Sequence, residues 1–482
     1  MRDKKKISSI SMAFMVFMTV WGFGNVINGY YYFGGINVIV LWILVFALYF
    51  IPYALMVGEL GSSFKEKGGG VSSWIDSTIG PKLAYFAGWT YMVVHIPYLS
   101  QKANNCTIGL GYIIYGDGRI SKEGFTFSQT GILANIPVAM VVQLVSLAIF
   151  VLGVIFALRG INFMKKIVSV AGIATFVLSI LFILLMVVAP FVTNKVSYSS
   201  LDFSFEKLFS SLGSVSGILN LSILIFAVGG CEKLSPYVNK MKNPSKGFSR
   251  GMIIAAILVA VCAIFGTIAT GMLFSGEEIG KDFVANGKYL AFQKVGNYLG
   301  MGNVLMYIFA VTEVVATFSV LIVSIDAPLR VLLDSADERY IPKSLLKKNK
   351  HDVYNRAILL MSIFVVILIV IPALGIGAVS GIAKSIVDLN SICMPLRYLW
   401  VFVAYFFMKK SIEKFNPEFK FVKSKVVGLI FAVLCFTITL AASCMKMFNA
   451  SGFELILNIA TPFILVGLGF ILPWIAKKKN KV

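Results

Sequence analysis

Residues 225–236 read IFAVGGCEKLSP. The stretch lies inside an apolar run that begins near Leu212, yet two glycines, a cysteine and an acid interrupt it. Glycine in a helix interior costs roughly 1 kcal/mol relative to alanine. Unwound backbone in lipid also leaves amides and carbonyls without partners, so it persists only inside protein or along a wet cavity. A second interrupted run, WGFGNVINGYYYFGG at 21–35, carries Gly22, Gly24, Asn25, Asn28 and Gly29. Two such breaks in one chain ask for a common explanation.

The surroundings are those of a membrane protein. The chain has 482 residues, 58% of them hydrophobic and only 13% charged, more apolar surface than a soluble protein of this size can hide. Apolar runs of about 18 residues or more read as membrane helices. Twelve spans are expected, at 9–33, 38–60, 83–113, 131–157, 166–191, 213–238, 250–274, 298–332, 357–373, 377–407, 425–446 and 453–475. No small-residue cleavage site follows the apolar start, so the first is expected as an uncleaved span. With the N-terminus in the cytoplasm, 32 of the 43 lysines and arginines fall on the cytoplasmic side, eight outside, and Lys102, Lys384 and Arg397 within spans. That bias predicts a multi-pass membrane protein with both termini in the cytoplasm. The net charge of +21 is then a topology signal that suits anionic lipid and needs no nucleic acid.

Several functions are disfavoured. The six cysteines fall mostly within apolar runs without CxxC spacing, and there are two histidines, His95 and His351; neither a disulfide framework nor a zinc site is expected. KEKGGGVSSW at 65–74 is no phosphate loop, because no GK[ST] follows. No cofactor is expected. No clustered nucleophile, base or metal ligands suggest an enzyme, and no ring of like charge suggests a channel.

Spans 1 and 6 are five apart, so a five-plus-five inverted repeat makes them counterparts. Interrupted spans at matching positions of two halves point to a transporter's substrate site. A half-helix starting after Gly24 aims free N–H groups at a cavity and suits a carboxylate. Carbonyls freed around Ala227–Gly230 suit an ammonium. Together they make a receptor for a zwitterion such as an amino acid. Glycines also serve close helix packing; two matched interruptions beside an acid favour the transporter reading.

WGFGN, PYALMVGELGSSFKEKGGGVSSWIDSTIGP, FAVGGCEKLSPYVNKMKNPSKGFSRG and DAPLRVLLDSADERYIPKSL resemble the amino acid–polyamine–organocation superfamily. The likeness is nearest to the branch of glutamate/γ-aminobutyrate antiporters and YjeM-like inner-membrane permeases. It implies an all-α, single transporter domain with discontinuous helices 1 and 6. The first repeat is expected at 8–191, the second at 213–407, and two extra helices at 425–475. The resemblance further implies that the Gly22, Phe23, Gly24 and Asn25 amides bind the substrate carboxylate. Carbonyls of Phe226, Ala227, Val228, Gly229 and Gly230 would take the amine, Phe226 would close over the substrate, and Glu232 would couple proton state to gating.

Other charges lie at membrane depth. Glu313 near the middle of span 8 is a functional candidate because an acid there is costly; it could bind a substrate amine, carry a proton or neutralise Lys102. Lys102 reads equally as a snorkelling residue or as Glu313's partner, and is the cation expected for an anionic substrate. His95 reads as a hydrogen-bonded core residue, Lys384 and Asp388 as a local ion pair, Asp326 with Arg330 as structural, and Glu59 and Arg397 as anchors at the cytoplasmic ends. Thr317 and Ser319 raise sodium coupling. The leading expectation is secondary amino-acid transport by antiport or with a coupled proton. The alternatives are a transport-dead nutrient sensor and a sodium symporter of another amine-containing solute.

Overall fold

A chain in hydrocarbon must satisfy its own amides and carbonyls, and the helix does so within one segment. The computed structural model describes residues 6–479 except 69, 122–137, 197, 199–200, 275–278, 280–282, 375–388 and 416. The described residues form helices and turns, with one isolated bridge between Ile7 and Met241 and no strand. Ten helical stretches among them are long and apolar enough to cross a membrane. They include the two broken spans, Ser9–Tyr32 and Gly217–Lys240, and the long helices Pro244–Gly271 and Val304–Leu333.

Two further expected spans are helical but less apolar or shorter. The third is a pair, Pro81–Val93 and His95–Tyr115, whose second member carries His95, Gln101, Lys102, Asn104 and Asn105. The ninth is Asn355–Val370. The eighth begins at Val304 rather than near 298, because Phe283–Tyr298 forms a separate helix ahead of it. The expected starts of the fourth and tenth spans, at 131–137 and 377–388, lie outside the described residues.

Burial sorts the helices by position. In the broken spans 67% of the most apolar window is buried, against 11% in Gly452–Lys478. Spans 1 and 6 are therefore central, and the last helix leaves Phe453, Phe463 and Trp474 exposed for lipid. The two central spans run past each other in opposite directions. Ser9–Val20 packs on Cys231–Lys240, and Gly24–Tyr32 on Val215–Val228. Backbone bonds from Ile7 to Lys240 and from Lys242 to Ile7 fasten one end.

Buried ion pairs close that same end. Arg330 Nε donates to Asp326 at 2.7 Å, and Tyr237 donates to the same carboxylate at 2.6 Å. Asp334 and Asp352 lie at 3.9 and 3.6 Å from the guanidinium. Lys409 reaches Glu59 at 2.7 Å, and that carboxylate also accepts from Tyr405 and the Phe421 amide. Glu59 thus staples Tyr405 and Lys409 to the backbone at Phe421.

Span 3 meets span 8 at a contact that only glycine permits. A Cβ on Gly88 would sit 2.6 Å from Leu332 Cα, a backbone atom that cannot rotate away. Gly88→Ala is expected to destabilise the fold by about 1–3 kcal/mol through overpacking, measured as a lower midpoint of thermal unfolding in detergent. An unchanged midpoint would mean the two helices separate freely.

Candidate substrate site

The first break spans Trp21–Phe23. Trp21 N–H ends the first half-helix on Phe17 O at 2.7 Å, and Gly24 starts the second. The second break is Gly229–Gly230, between Val228 and Cys231. Gly230 has φ +106°, which L side chains rarely adopt. A Cβ on Gly229 would fall 2.2 Å from the Tyr398 ring, so that position too needs glycine. The segment after the break, Cys231–Lys240, is a 3₁₀ helix containing Pro236, tighter than the expected half-helix.

Asn25 joins the two breaks. Its side-chain amide donates to Val20 O at 3.3 Å and to Ala227 O at 3.1 Å, so one residue satisfies a carbonyl freed from each span. Thr19 Oγ1 donates to Val16 O and lies 3.5 Å from Gly230 O. The Asn25 amide is taken by Gly22 O and the Val26 amide by Phe23 O. Among the described residues, the amides of Gly22, Phe23 and Gly24 take no backbone acceptor.

A cavity of about 100 Å³ lies between the breaks. Gly22, Asn25, Lys102, Phe226, Ala227, Gly229, Gly230 and Glu313 line it, as do Thr317 and Tyr398. Four expected residues stand elsewhere. Phe23 turns away into an aromatic cluster, edge-on to Phe182, Phe292 and Phe309 at 4.9, 5.3 and 5.7 Å. Gly24 faces the Lys288 side chain, and Val228 is buried in the core. Glu232 sits one layer behind the wall, where Tyr53 donates to its Oε2 and Arg397 Nη2 lies 3.5 Å from Oε1.

Two cations of the wall went unrecognised in the sequence: Lys233 and Arg397. Both are buried. Counting Lys233 with the cytoplasmic charges was wrong because the 3₁₀ segment turns it inward, where Nζ donates to Ser324 at 3.3 Å. Arg397 is likewise no interfacial anchor. Its place directly before Tyr398, inside an apolar span, was the one available signal. Glu313 pairs with Lys288 at 2.5 Å, not with Lys102. Four cations (Lys102, Lys233, Lys288 and Arg397) therefore surround two carboxylates, Glu232 and Glu313. A surplus of positive charge in a buried site is costly unless an anion joins it.

His95 is the hydrogen-bonded core residue expected, with Nδ1 2.6 Å from Tyr91 O, and it also touches Arg397. Lys384 and Asp388 lie outside the described residues. Ser319 donates to Val315 O at 2.6 Å, while Thr317 points to Glu313. Among the described residues no group of three or more His, Cys, Asp or Glu is placed to hold a metal ion.

Residues 7–471 match the model of the family described as amino acid permease. The chain belongs to the amino acid permease family. The permease is 43% identical to the aspartate/glutamate permease AcaP of Lactococcus lactis subsp. cremoris, over 99% of its own length and 97% of that protein's. It is 24% identical to the inner membrane transporter YjeM of Escherichia coli, over 90% and 88% of the two chains. A solved structure of the Eremococcus coleocola manganese transporter superposes with a TM-score of 0.61 at 12% identity, covering 98% of this chain and 95% of that one. That likeness concerns the fold alone, an all-α polytopic membrane transporter.

Asn25→Ala removes the bond between the two breaks. The expected cost is about 1–3 kcal/mol, since two buried carbonyls lose a partner. It should appear as reduced thermal stability together with weaker stabilisation by substrate. Loss of neither would show that the Asn25 bridge carries no weight.

Proposed function

We propose that the permease carries an acidic amino acid, aspartate or glutamate, by alternating access around the two breaks. The observation that carries this reading is the cationic surplus at the central cavity. The free amide of Gly22 on the cavity wall suits the α-carboxylate, and the carbonyls around Ala227–Gly230 suit the α-ammonium. Lys102, Lys233 and Arg397 remain for a second carboxylate. A cationic substrate would meet like charge, and a neutral one would leave the surplus uncompensated. The printed activity of the relative that is 43% identical, an aspartate/glutamate permease, supports the same class.

Access follows from the walls. Phe226 belongs both to the central cavity and to a larger one of about 700 Å³ beyond it, lined by Asn28, Gln101 and Lys446. Its ring is the partition on that side, which the basic-residue bias makes the outer one. On the other side Glu232, Lys233, Tyr237 and Arg330 close the path. Both termini are cytoplasmic in this scheme. Residues 8–191 and 213–407 act as inverted repeats, with 425–475 beside them. Transport is by antiport or with a coupled proton, and Glu232, between Tyr53 and Arg397, is the coupling group.

Counterflow of radiolabelled aspartate into proteoliposomes tests the function. Internal aspartate or glutamate should drive accumulation, and lysine should not. A protein that binds aspartate without counterflow would be a sensor rather than a carrier. Glu232→Gln is expected to lower turnover or flatten its pH dependence while membrane expression stays near wild type. Uptake matching wild type at every pH would remove Glu232 from the mechanism.

A further inference from the structure

Arg397 is held by flat rings. Its Cζ lies 4.7 Å from the Tyr91 ring centroid and 5.1 Å from that of Tyr398. Nη1 lies 3.0 Å from His95 Nδ1 and 3.1 Å from Nε2. Near-equal distances to both nitrogens place Nη1 over the ring's face, since an atom so placed in the ring plane would overlap the hydrogen on Cε1. His95 is itself fixed. Its Nδ1 stands 2.6 Å from Tyr91 O, a separation that assigns the hydrogen to Nδ1 and orients the ring.

Aromatic rings around a guanidinium attract it without exhausting its fork of N–H donors, which stays matched to planar acceptors. At that fork the pairing is incomplete. Glu232 Oε1 is 3.5 Å from Nη2, beyond a good hydrogen bond. Glu232 Oε1 and Arg397 Nε are both buried without a hydrogen-bond partner among the described residues. Arg397 also lines the cavity. The two lysines of the wall differ. Lys233 Nζ lies over the Tyr98 ring at 4.7 Å and Lys102 Nζ at 5.1 Å. They add positive charge without the two-pronged geometry that matches a carboxylate.

We propose that Tyr91, His95 and Tyr398 form an aromatic cage that presents Arg397 edge-on to the cavity, and that this caged guanidinium selects a side-chain carboxylate over the corresponding amide. Arg397 is the specificity residue; Tyr91 and His95 are positioning residues that act through it. The inference rests on the acidic-substrate reading. It explains why an arginine, two tyrosines and a histidine meet in an otherwise apolar stretch of spans 3 and 10.

The test is competition against labelled aspartate uptake in proteoliposomes by unlabelled aspartate and asparagine. Arg397→Lys keeps the charge and should reduce the aspartate-over-asparagine preference about tenfold or more. His95→Asn keeps a donor for Tyr91 O but has no ring face; His95→Phe keeps a face and loses the donor. The cage predicts that His95→Asn loses roughly 3- to 30-fold of the preference, through KM rather than kcat, while His95→Phe keeps most of it. Equal effects of the two, or the reverse order, would overturn the cage, as would an unchanged preference in Arg397→Lys. A wild-type protein with no preference for aspartate over asparagine would instead remove the acidic-substrate reading. A wild-type preference that survives all three substitutions removes the cage alone.

Discussion

The side-chain amide of Asn25 is the interaction on which the centre of the molecule depends. Each broken span frees carbonyls at membrane depth, where water is scarce and an unpaired polar group is costly. Asn25 donates once to Val20 in its own span and once to Ala227 in the other. The two breaks are thereby held side by side, and each can stay unwound because the other is there. Gly229 and Gly230 meet the remaining demands: one gives the Tyr398 ring room, the other takes a left-handed turn. A cavity between two breaks is the direct result.

Charge decides what that cavity suits. Helix ends and free carbonyls alone would accept any amino acid. The four cations around two carboxylates tilt the site towards an anion, and the cationic members come from different elements: Lys102 from span 3, Lys233 from the 3₁₀ segment, Lys288 from the helix before span 8 and Arg397 from span 10. The closed end shows the same economy, with Tyr237 of the 3₁₀ segment bound to Asp326 beside Arg330.

Much of this was legible in the sequence. Long apolar runs announced the spans, and glycine pairs beside polar residues marked both breaks, because a helix tolerates them poorly in lipid. Ala227 and Gly230 could be placed on the cavity from that alone, whereas Phe226 came only with the likeness to the amino acid–polyamine–organocation superfamily. Side-chain direction could not. Phe23 sits within the first break yet turns into a cluster with Phe182 and Phe309, a packing set by helices far away in sequence. Lys233 resembled a topology signal, since counting basic residues cannot tell a lysine facing headgroups from one turned inward by a 3₁₀ segment, and Arg397 resembled an anchor at the cytoplasmic end of its span. The pairing of Glu313 with Lys288 was hidden because Lys288 lies on a helix too polar to be recognised as part of the bundle.

The central claim is that the cationic cavity holds an acidic amino acid. The most direct measurement is thermal stabilisation of the purified permease by aspartate, glutamate, asparagine, glutamine and arginine at equal concentration. Binding to the native state alone raises stability by RT ln(1 + [L]/Kd). Aspartate or glutamate should raise the unfolding midpoint most, with their amides well behind and arginine without effect. Stabilisation by arginine or by the amides, with none from the two acids, would contradict it.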